Sequence, residues 1–471
     1  MLANEHRNTK MIWSIGAKQV EDKLVEVVDG VPLDVVRLVY DPGKADQLAK
    51  FVKQLRSTQR NVPVAIDLAA SHRAALCTNS DDQEVSYGDI IKVAHNGSGD
   101  VLPFEGEATA TLFKPEATVF FGFGSVILQC RNVQDDVAEL VVTQGGMLFD
   151  GMDIQVPDTM PELDLAKSFD AGLAQLLEEG VEFVIVHGST GYDQVAEFRQ
   201  NLKEKYKDAC PWVIAKIDND LSVQNIDSLL STTEGVLISR REMSLLMNPA
   251  TVPMVTKEII QICNDKAKLV LTASEMLASM RHNVTPTRAE VSDIANAVID
   301  GTDAVVLSEE VSMGKFGVKA LEVMDMTIRD IEVSARVGQP NWRKQVPSIN
   351  NSMDAIAYNA YRTAERLGAK AIVCITHEGN TALRLGSYRA PVPIIAVTFS
   401  ERVQRRLSLV RGVQTLTIET DPTIDDILPV VNEKLLRDSW LKVGDPIIFV
   451  SITLSSVGQE ASNLFTVQYL S

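Results

Sequence analysis

Trp212-Val-Ile-Ala-Lys-Ile217 and Gly235-Val-Leu-Ile-Ser239 are two apolar runs, rich in Val and Ile, joined by a stretch of helical length. Near-continuous apolarity over so few residues is typical of parallel strands covered on both faces. Six further runs of this kind lie at 10–15, 34–39, 63–67, 182–186, 268–272 and 303–307. Eight strands that alternate with helices predict an α/β fold, a (β/α)₈ TIM barrel, with an open doubly wound sheet as the alternative.

A different pattern separates the third run from the fourth. Short alternating runs at 90–93, 108–113, 126–130 and 138–142 stand between Gly and Asp turns, which is typical of an all-β domain. We predict a small β-barrel domain inserted after strand three. Active sites of such barrels lie at the carboxyl ends of the strands, so the insertion is placed to act as a lid.

The predicted domains follow from these patterns. The barrel takes 1–70 and 158–336, and the inserted lid domain takes 71–157. A segment with Pro, Gly and Asn at 337–352 predicts a linker, and alternating helices and strands at 353–471 predict a C-terminal α/β domain.

Charge and cysteine usage narrow the function class. The 471 residues carry a net charge of −18, which disfavours binding to nucleic acid or an anionic membrane. The five cysteines are odd in number, widely spaced and without a CxxC pair, which suits free thiols in a reducing compartment. With a polar N-terminus and no apolar run of about 20 residues, we expect a cytoplasmic protein.

One long motif carries a family resemblance. The stretch that begins Thr285-Pro-Thr-Arg-Ala-Glu-Val-Ser-Asp293, followed by Val306-Leu-Ser-Glu-Glu310, resembles the signature region of pyruvate kinases. Within it, Thr287 and Glu290 also form a capping-box pattern that predicts a helix start without any chemistry. Shorter matches occur in the family's order along nearly the whole chain, including Ala215-Lys-Ile-Asp-Asn219 and Ser239-Arg-Arg-Glu-Met243.

The resemblance implies phosphoryl transfer from phosphoenolpyruvate to ADP, which gives pyruvate and ATP in glycolysis. Lys216 matches the catalytic lysine that stabilises the phosphoryl group and the developing enolate. Asp218 and Glu242 fall on the two metal-binding carboxylates, with Asp and Glu exchanged relative to the usual order. Hard oxygen ligands suit Mg²⁺ or Mn²⁺.

Further matches concern the substrates. Arg37 matches an arginine that contacts phosphate of the substrate and nucleotide, and Lys167 matches a lysine near the nucleotide phosphates. Ser274 stands at a family threonine near the enolate, where its hydroxyl keeps a proton relay through water available. The resemblance therefore implies a site for phosphoenolpyruvate or pyruvate and for ADP or ATP.

The monovalent-cation site of the family is altered. Asp67 is the surviving ligand, whereas Leu68, Val39 and Asp41 stand at the Thr, Asn and Ser ligands. We therefore expect Asp67 to be a remnant of the K⁺ site and K⁺ dependence to be weak or absent. The family's second phosphate arginine becomes Ala74, and the neighbouring Arg73 would face the other way on a strand.

The loop after strand six is altered as well. The family's Arg-Gly-Asp-Leu-Gly reads Arg240-Arg-Glu-Met-Ser244, so two glycines that let the backbone approach the substrate carboxylate are lost. We expect either that Arg241 and Ser244 crowd that approach, or that Arg241 binds substrate with the guanidinium missing at Ala74.

Three functional hypotheses remain open from the sequence. The first is an active, divergent pyruvate kinase. The second is a catalytically impaired paralogue that acts as a regulatory or assembly subunit. The third is a related barrel enzyme that acts on another enol phosphate or a 2-oxo acid. Because family members are usually tetramers, the resemblance implies a homotetramer, or a hetero-oligomer with an active paralogue.

Overall fold

The structure is a computed structural model that describes 7–16, 19–20, 24–58, 60–68, 74–77, 82–105, 108–122, 124–156, 165, 169–188, 191–273, 276–312, 315–335, 352–418, 424–452 and 463–471. The linker expected at 337–352 lies, apart from Ser352, outside these residues. Among the described residues, no helix is both long and apolar enough to cross a membrane.

A parallel barrel forms the centre of the chain. It begins with strands β1 (Lys10–Ile15), β2 (Val35–Val39) and β3 (Val64–Asp67). An insertion follows, with described strands β4 (Ala74–Leu76), β5 (Gln83–Val85), β6 (Ile90–His95), β7 (Leu102–Glu105), β8 (Thr118–Phe121), β9 (Val126–Gln134), β10 (Val137–Gln144), β11 (Gly146–Leu148) and β12 (Asp153–Gln155). The barrel then resumes with β13 (Phe183–His187), β14 (Trp212–Ile217), β15 (Gly235–Ser239), β16 (Leu269–Ala273) and β17 (Ala304–Leu307).

Both barrels close. The parallel strands run in the order β1-β17-β16-β15-β14-β13-β3-β2, and seven strands of the insertion close as β10-β6-β7-β4-β12-β8-β9. The predicted TIM barrel with an inserted β domain is therefore confirmed. The short run at 108–113 was wrongly predicted to be a strand, since Thr109–Leu112 forms one helical turn.

Helices cover the parallel barrel. Their bounds are α1 (Leu24–Gly30), α2 (Ala45–Arg56), α3 (Thr109–Leu112, in the insertion), α4 (Ala171–Glu178), α5 (Tyr192–Tyr206), α6 (Asp220–Gln224), α7 (Ile226–Thr232), α8 (Arg240–Leu246), α9 (Val252–Asp265), α10 (Arg288–Asp300), α11 (Glu309–Ser312) and α12 (Gly317–Ala335). Helix α10 starts with the predicted capping box, since Thr287 and Glu290 each accept from the other's backbone N–H. Gly301, in the left-handed conformation at φ 98°, ends it.

Alternation along β1 divides its side chains between two cores. Met11, Trp13 and Ile15 pack in the core under the helices, whereas Ile12 packs inside the barrel. This period of two is what strand geometry requires, and it fixes which residues face the barrel interior.

The C-terminal domain is a five-stranded sheet with helices on its faces. It contains α13 (Ser352–Leu367), β18 (Ala371–Ile375), α14 (Asn380–Ser387), β19 (Ile394–Thr398), α15 (Glu401–Leu407), β20 (Val413–Thr417), α16 (Ile424–Arg437), β21 (Pro446–Ile452) and β22 (Asn463–Tyr469), in the sheet order β20-β19-β18-β21-β22. This confirms the predicted α/β domain. The antiparallel edge strand β22 was not predicted from the sequence.

Buried ion pairs join this domain to the barrel. Arg389 donates to Asp303 over 2.8 Å, and both side chains are almost fully buried. Glu182, which is fully buried, accepts from Arg56 of the barrel and from Arg405 of α15 at 2.7 and 2.5 Å. Removing one partner of such a pair would leave a charge in the interior, so these contacts fix how the domains meet.

Candidate active site

Polar side chains form one layer at the carboxyl end of the barrel interior. Ile12, Val35 and Ile214 lie inside the barrel, and the residues two positions further along these strands are Ser14, Arg37 and Lys216. The strand period places each pair on the same inward face. The sequence changes from apolar to charged where the strands end, and this is the end of the barrel that carries active sites.

Arg37 is bound within this layer. It donates to the Ser14 hydroxyl over 3.0 Å and forms an ion pair with Asp67 on the next strand. Burial opposes the ionisation of Asp67, but the positive charges of Arg37 and Lys216 hold the pKa of this carboxyl below its usual range. Asp67 is therefore an anion in the folded protein at neutral pH.

Lys216 and Glu242 form the second pair. The Lys216 Nζ lies 2.9 Å from Glu242 Oε1, and the two residues are 2% and 6% exposed. The Ser239 hydroxyl donates to the other oxygen of Glu242. Strand β14 supplies the lysine, and helix α8, which follows β15, supplies the carboxylate.

Asp218 lies just beyond β14 and has one unsatisfied oxygen. Its Oδ2 is 2.9 Å from His187 Nδ1, at the end of the neighbouring strand. Its Oδ1 is buried and accepts no hydrogen bond from the residues that the structure describes. Gly188, which follows His187, lets the backbone lie close to the end of β14. A Cβ at this position would lie 2.7 Å from the Lys216 carbonyl oxygen.

These carboxylates fit a divalent cation. A buried carboxylate oxygen without a donor is costly, and a cation removes that cost. The described residues contain no group of three or more His, Cys, Asp and Glu side chains able to hold a metal alone. Mg²⁺ needs no such group, because it is usually bound by one or two carboxylates with substrate oxygens and water. Asp218 and Glu242 are therefore suited to a metal shared with a substrate.

The rebuilt loop after β15 starts helix α8. The Arg240 guanidinium is held by residues of the protein, because it donates to Asp293 over 2.6 Å and to the Ala273 carbonyl. The Ser244 hydroxyl donates to the Arg240 carbonyl over 2.8 Å, so its side chain folds back onto its own helix. Arg241 is half-buried beside Glu242, at the start of the same helix.

Three of the residues singled out in the sequence cannot be placed. Ser274, Lys167 and Arg73 lie outside the described residues. Leu68, at the family's Thr position, is fully buried in the core under the helices, where an aliphatic side chain offers no ligand to a cation.

His187 was missed by the sequence analysis. A signal was available, because the residue directly follows the strand-like run at 182–186 and so falls at the active end of the barrel. The sequence did not identify its partner, since Asp218 is 31 positions away and the two meet only when β13 and β14 pair with His187 opposite Lys216.

Comparison with known proteins agrees with this geometry. The pyruvate kinase barrel-domain family model matches residues 6–321, and the pyruvate kinase alpha/beta-domain model matches 354–467. A pyruvate kinase of Bacillus licheniformis is 29% identical, over 96% of this chain and 78% of its own length. One of Clostridium perfringens is 28% identical, over 94% and 95%.

A solved structure gives the same result. A pyruvate kinase from Cryptosporidium parvum superposes with a TM-score of 0.81 and 25% sequence identity, over 100% of this chain and 98% of that one. The family models match most of the chain, and the two closed barrels and the C-terminal sheet agree with them. The chain therefore belongs to the pyruvate kinase family.

Proposed function

We propose that this protein transfers a phosphoryl group from phosphoenolpyruvate to ADP, with pyruvate and ATP as products. One observation carries the proposal: a buried lysine lies beside two acidic residues at the carboxyl end of the barrel. Lys216 contacts Glu242, and Asp218 keeps one oxygen without a described donor. Phosphoryl transfer depends mainly on positioning and charge stabilisation, and these groups are suited to both tasks.

The cationic side chains have distinct roles in this proposal. Lys216 neutralises charge on the transferred phosphoryl group and on the enolate left behind. Arg37 binds phosphate oxygens, and its contacts with Asp67 and Ser14 keep it in place before substrate arrives. Arg241 is the guanidinium that replaces the one lost at position 74 and binds the substrate carboxylate.

The remaining roles follow the family resemblance. Asp218 and Glu242 would hold Mg²⁺ or Mn²⁺, which supplies Lewis-acid stabilisation of the phosphoryl oxygens when bound. Lys167 binds nucleotide phosphates, and the hydroxyl of Ser274 relays a proton to the enolate. Both lie outside the described residues, so they stay predictions.

We propose that turnover requires little or no K⁺. The Asp67 carboxylate, which remains from the family's site, is already neutralised by the Arg37 guanidinium. Leu68 and Val39 supply no side-chain oxygen. A monovalent cation would therefore have to compete with a buried ion pair for the Asp67 carboxylate.

The inserted β barrel is proposed to be a lid. The turn after β8 touches the helix that carries Glu242, since a Cβ at Gly124 would lie 2.8 Å from the Leu245 side chain. Gly124 also has φ 83°, which disfavours any larger residue. Closure of this turn over α8 would exclude water from the polar layer.

The test is pyruvate formation from phosphoenolpyruvate and ADP, measured with Mg²⁺ or Mn²⁺ and with K⁺ or Na⁺. We expect turnover that changes less than about threefold between K⁺ and Na⁺ and that Lys216→Met abolishes. Lys203→Met, on the exposed face of α5, is the matched control. Absence of turnover by folded protein under all these conditions would refute the proposal.

A negative result would direct work to the other two hypotheses. Binding of phosphoenolpyruvate with Mg²⁺ but without turnover would favour an enzyme for a related enol phosphate or 2-oxo acid. Absence of binding would favour a regulatory subunit of an active paralogue. We further propose a cytoplasmic homotetramer, for which light scattering of the purified chain gives the mass.

A further inference from the structure

A cavity of about 580 Å³ lies outside the barrel interior, between β1, α1 and the start of α12. Trp13 and Ile15 form part of its wall, and they face the helices rather than the polar layer. The cavity therefore lies on the helix side of β1, outside the polar layer of Arg37 and Lys216. Its size falls in the range of about 300–1,000 Å³ that is typical of small-molecule pockets.

Most of the wall is apolar. Besides Ile15 it includes Leu24 and Val27 of α1, Val311 of α11, and Phe316 just before α12. A ligand that covers these side chains must itself be largely hydrocarbon, because burial of apolar surface is what would hold it there.

The indole of Trp13 lies within this wall. The residue is 4% exposed, and its Nε1–H has no hydrogen-bond acceptor in the described part of the chain. Buried Trp N–H groups usually have a partner, because leaving the donor unsatisfied costs free energy. This nitrogen lies beneath the cavity surface, so the donor is not open to a ligand.

The rim is basic. Lys315 is exposed, and no ion pair to it occurs among the described residues, whereas Lys319 pairs with Glu322 over 2.9 Å. The pairing neutralises the acidic residue of the rim and leaves Lys315 as the excess charge. In a chain of net charge −18, a cationic rim on an apolar cavity selects an anion locally.

We propose that this cavity binds a small amphipathic monocarboxylate, either aliphatic or aryl-alkyl. The hydrocarbon part covers the wall formed by Ile15, Val27 and Phe316, and the carboxylate oxygens accept from the Lys315 ammonium at the rim. The proposal does not depend on the chemistry of the polar layer, and its test uses neither phosphoenolpyruvate nor a metal.

Calorimetric and fluorescence titrations with hexanoate, octanoate and 1-octanol test the site on the full chain. We expect one saturable octanoate site per chain and a change in indole emission that Trp13→Phe removes. Octanoate should bind roughly fifteenfold more tightly than hexanoate, from about fourfold per buried methylene. Lys315→Gln should weaken octanoate at least fivefold and leave 1-octanol unchanged, and Lys203→Gln is the matched control.

Further variants test whether octanoate binds in this cavity or in the polar layer. Val27→Phe, which fills the cavity, should abolish octanoate binding, and Lys216→Met, in the polar layer, should not change it. Should Val27→Phe fail to fold, Lys315→Glu at an exposed position gives the same decision. Absence of saturable binding by the folded wild type, or binding that survives both Val27→Phe and Lys315→Glu, would overturn the proposal. Loss of binding in folded Lys216→Met would equally overturn it.

Discussion

Replacing Lys216 by Met separates what the polar layer contributes to stability from what it contributes to chemistry. The Nζ of Lys216 lies 2.9 Å from Glu242 Oε1, and both side chains are buried. At an effective dielectric constant of about 20, two unit charges at that distance attract by about 6 kcal/mol. Desolvation of both ions offsets much of this attraction, so the intact pair stabilises the fold by far less.

The single substitution is costly because it removes one charge only. Glu242 would remain buried and would keep the Ser239 hydroxyl as a donor, but it would lose the positive charge of the lysine. Breaking a buried pair in this way destabilises a protein by about 3–5 kcal/mol. Lys216→Met/Glu242→Gln removes both charges, and we expect it to recover most of the lost thermal stability, because no uncompensated charge remains.

Activity should not follow the same pattern. Loss of a preorganised charge stabiliser lowers kcat by about 10²–10³ or more, and no stability gain restores that interaction. We expect Lys216→Met to be both less stable and inactive, and the double variant to be stable and inactive. Calorimetric melting and the coupled pyruvate assay at low temperature measure the two effects.

Two outcomes would refute this reasoning. If Lys216→Met keeps turnover within tenfold of wild type, the lysine has no role in the chemistry. If the double variant melts as early as the single one, the buried charge of Glu242 is not the cause of instability. Lys203→Met, on the surface, should change neither measurement by more than about 0.5 kcal/mol or twofold.

Three further predictions follow from individual contacts. Asp218→Asn should weaken Mn²⁺ binding at least tenfold, without loss of metal-free stability, because a buried charge with an unpaired oxygen is removed; unchanged Mn²⁺ affinity by electron paramagnetic resonance would contradict it. Arg389→Met should destabilise the protein by about 3–5 kcal/mol, because Asp303 is left buried, and an unshifted melting temperature would argue against the domain clamp. Since the Asp67 carboxyl has a pKa held below its usual 3.8, its ion pair stabilises the fold above that pH and is lost below it. The melting temperature of Asp67→Asn should therefore fall less steeply than that of wild type below about pH 4, and parallel curves would contradict this.

The barrel was predictable because its signal is local. Each strand has near-continuous apolar residues, and Trp212–Ile217 and Gly235–Ser239 have the bounds that the run of hydrophobic residues suggested. The edge strand β22 was missed for a physical reason. It pairs on one side only, and polar residues at Asn463, Thr466 and Gln468 interrupt its apolar residues, so no continuous apolar run marks the strand.

The candidate site was predictable only in part, because its residues come from different strands. The family resemblance identified Lys216, but not its contact with Glu242 or the contact of His187 with Asp218. Substitution in the loop after β15 suggested crowding by Ser244. The sequence did not indicate that this hydroxyl donates to the carbonyl of Arg240, because that contact depends on the helical turn of α8.

The polar layer combines charge that is balanced in the free protein with groups that an anionic substrate needs. Arg37 faces Asp67, and Lys216 faces Glu242, so neither cation is buried alone. If Glu242 gives part of its charge to a divalent cation, the Lys216 ammonium loses its partner and becomes available to a phosphoryl group. Binding of the cation and binding of the substrate would then be coupled through the Lys216–Glu242 pair. The cation balances the charge of Glu242, and the phosphoryl group balances the charge of Lys216. This exchange would reconcile the two buried ion pairs, Arg37–Asp67 and Lys216–Glu242, with the phosphoryl transfer that we propose.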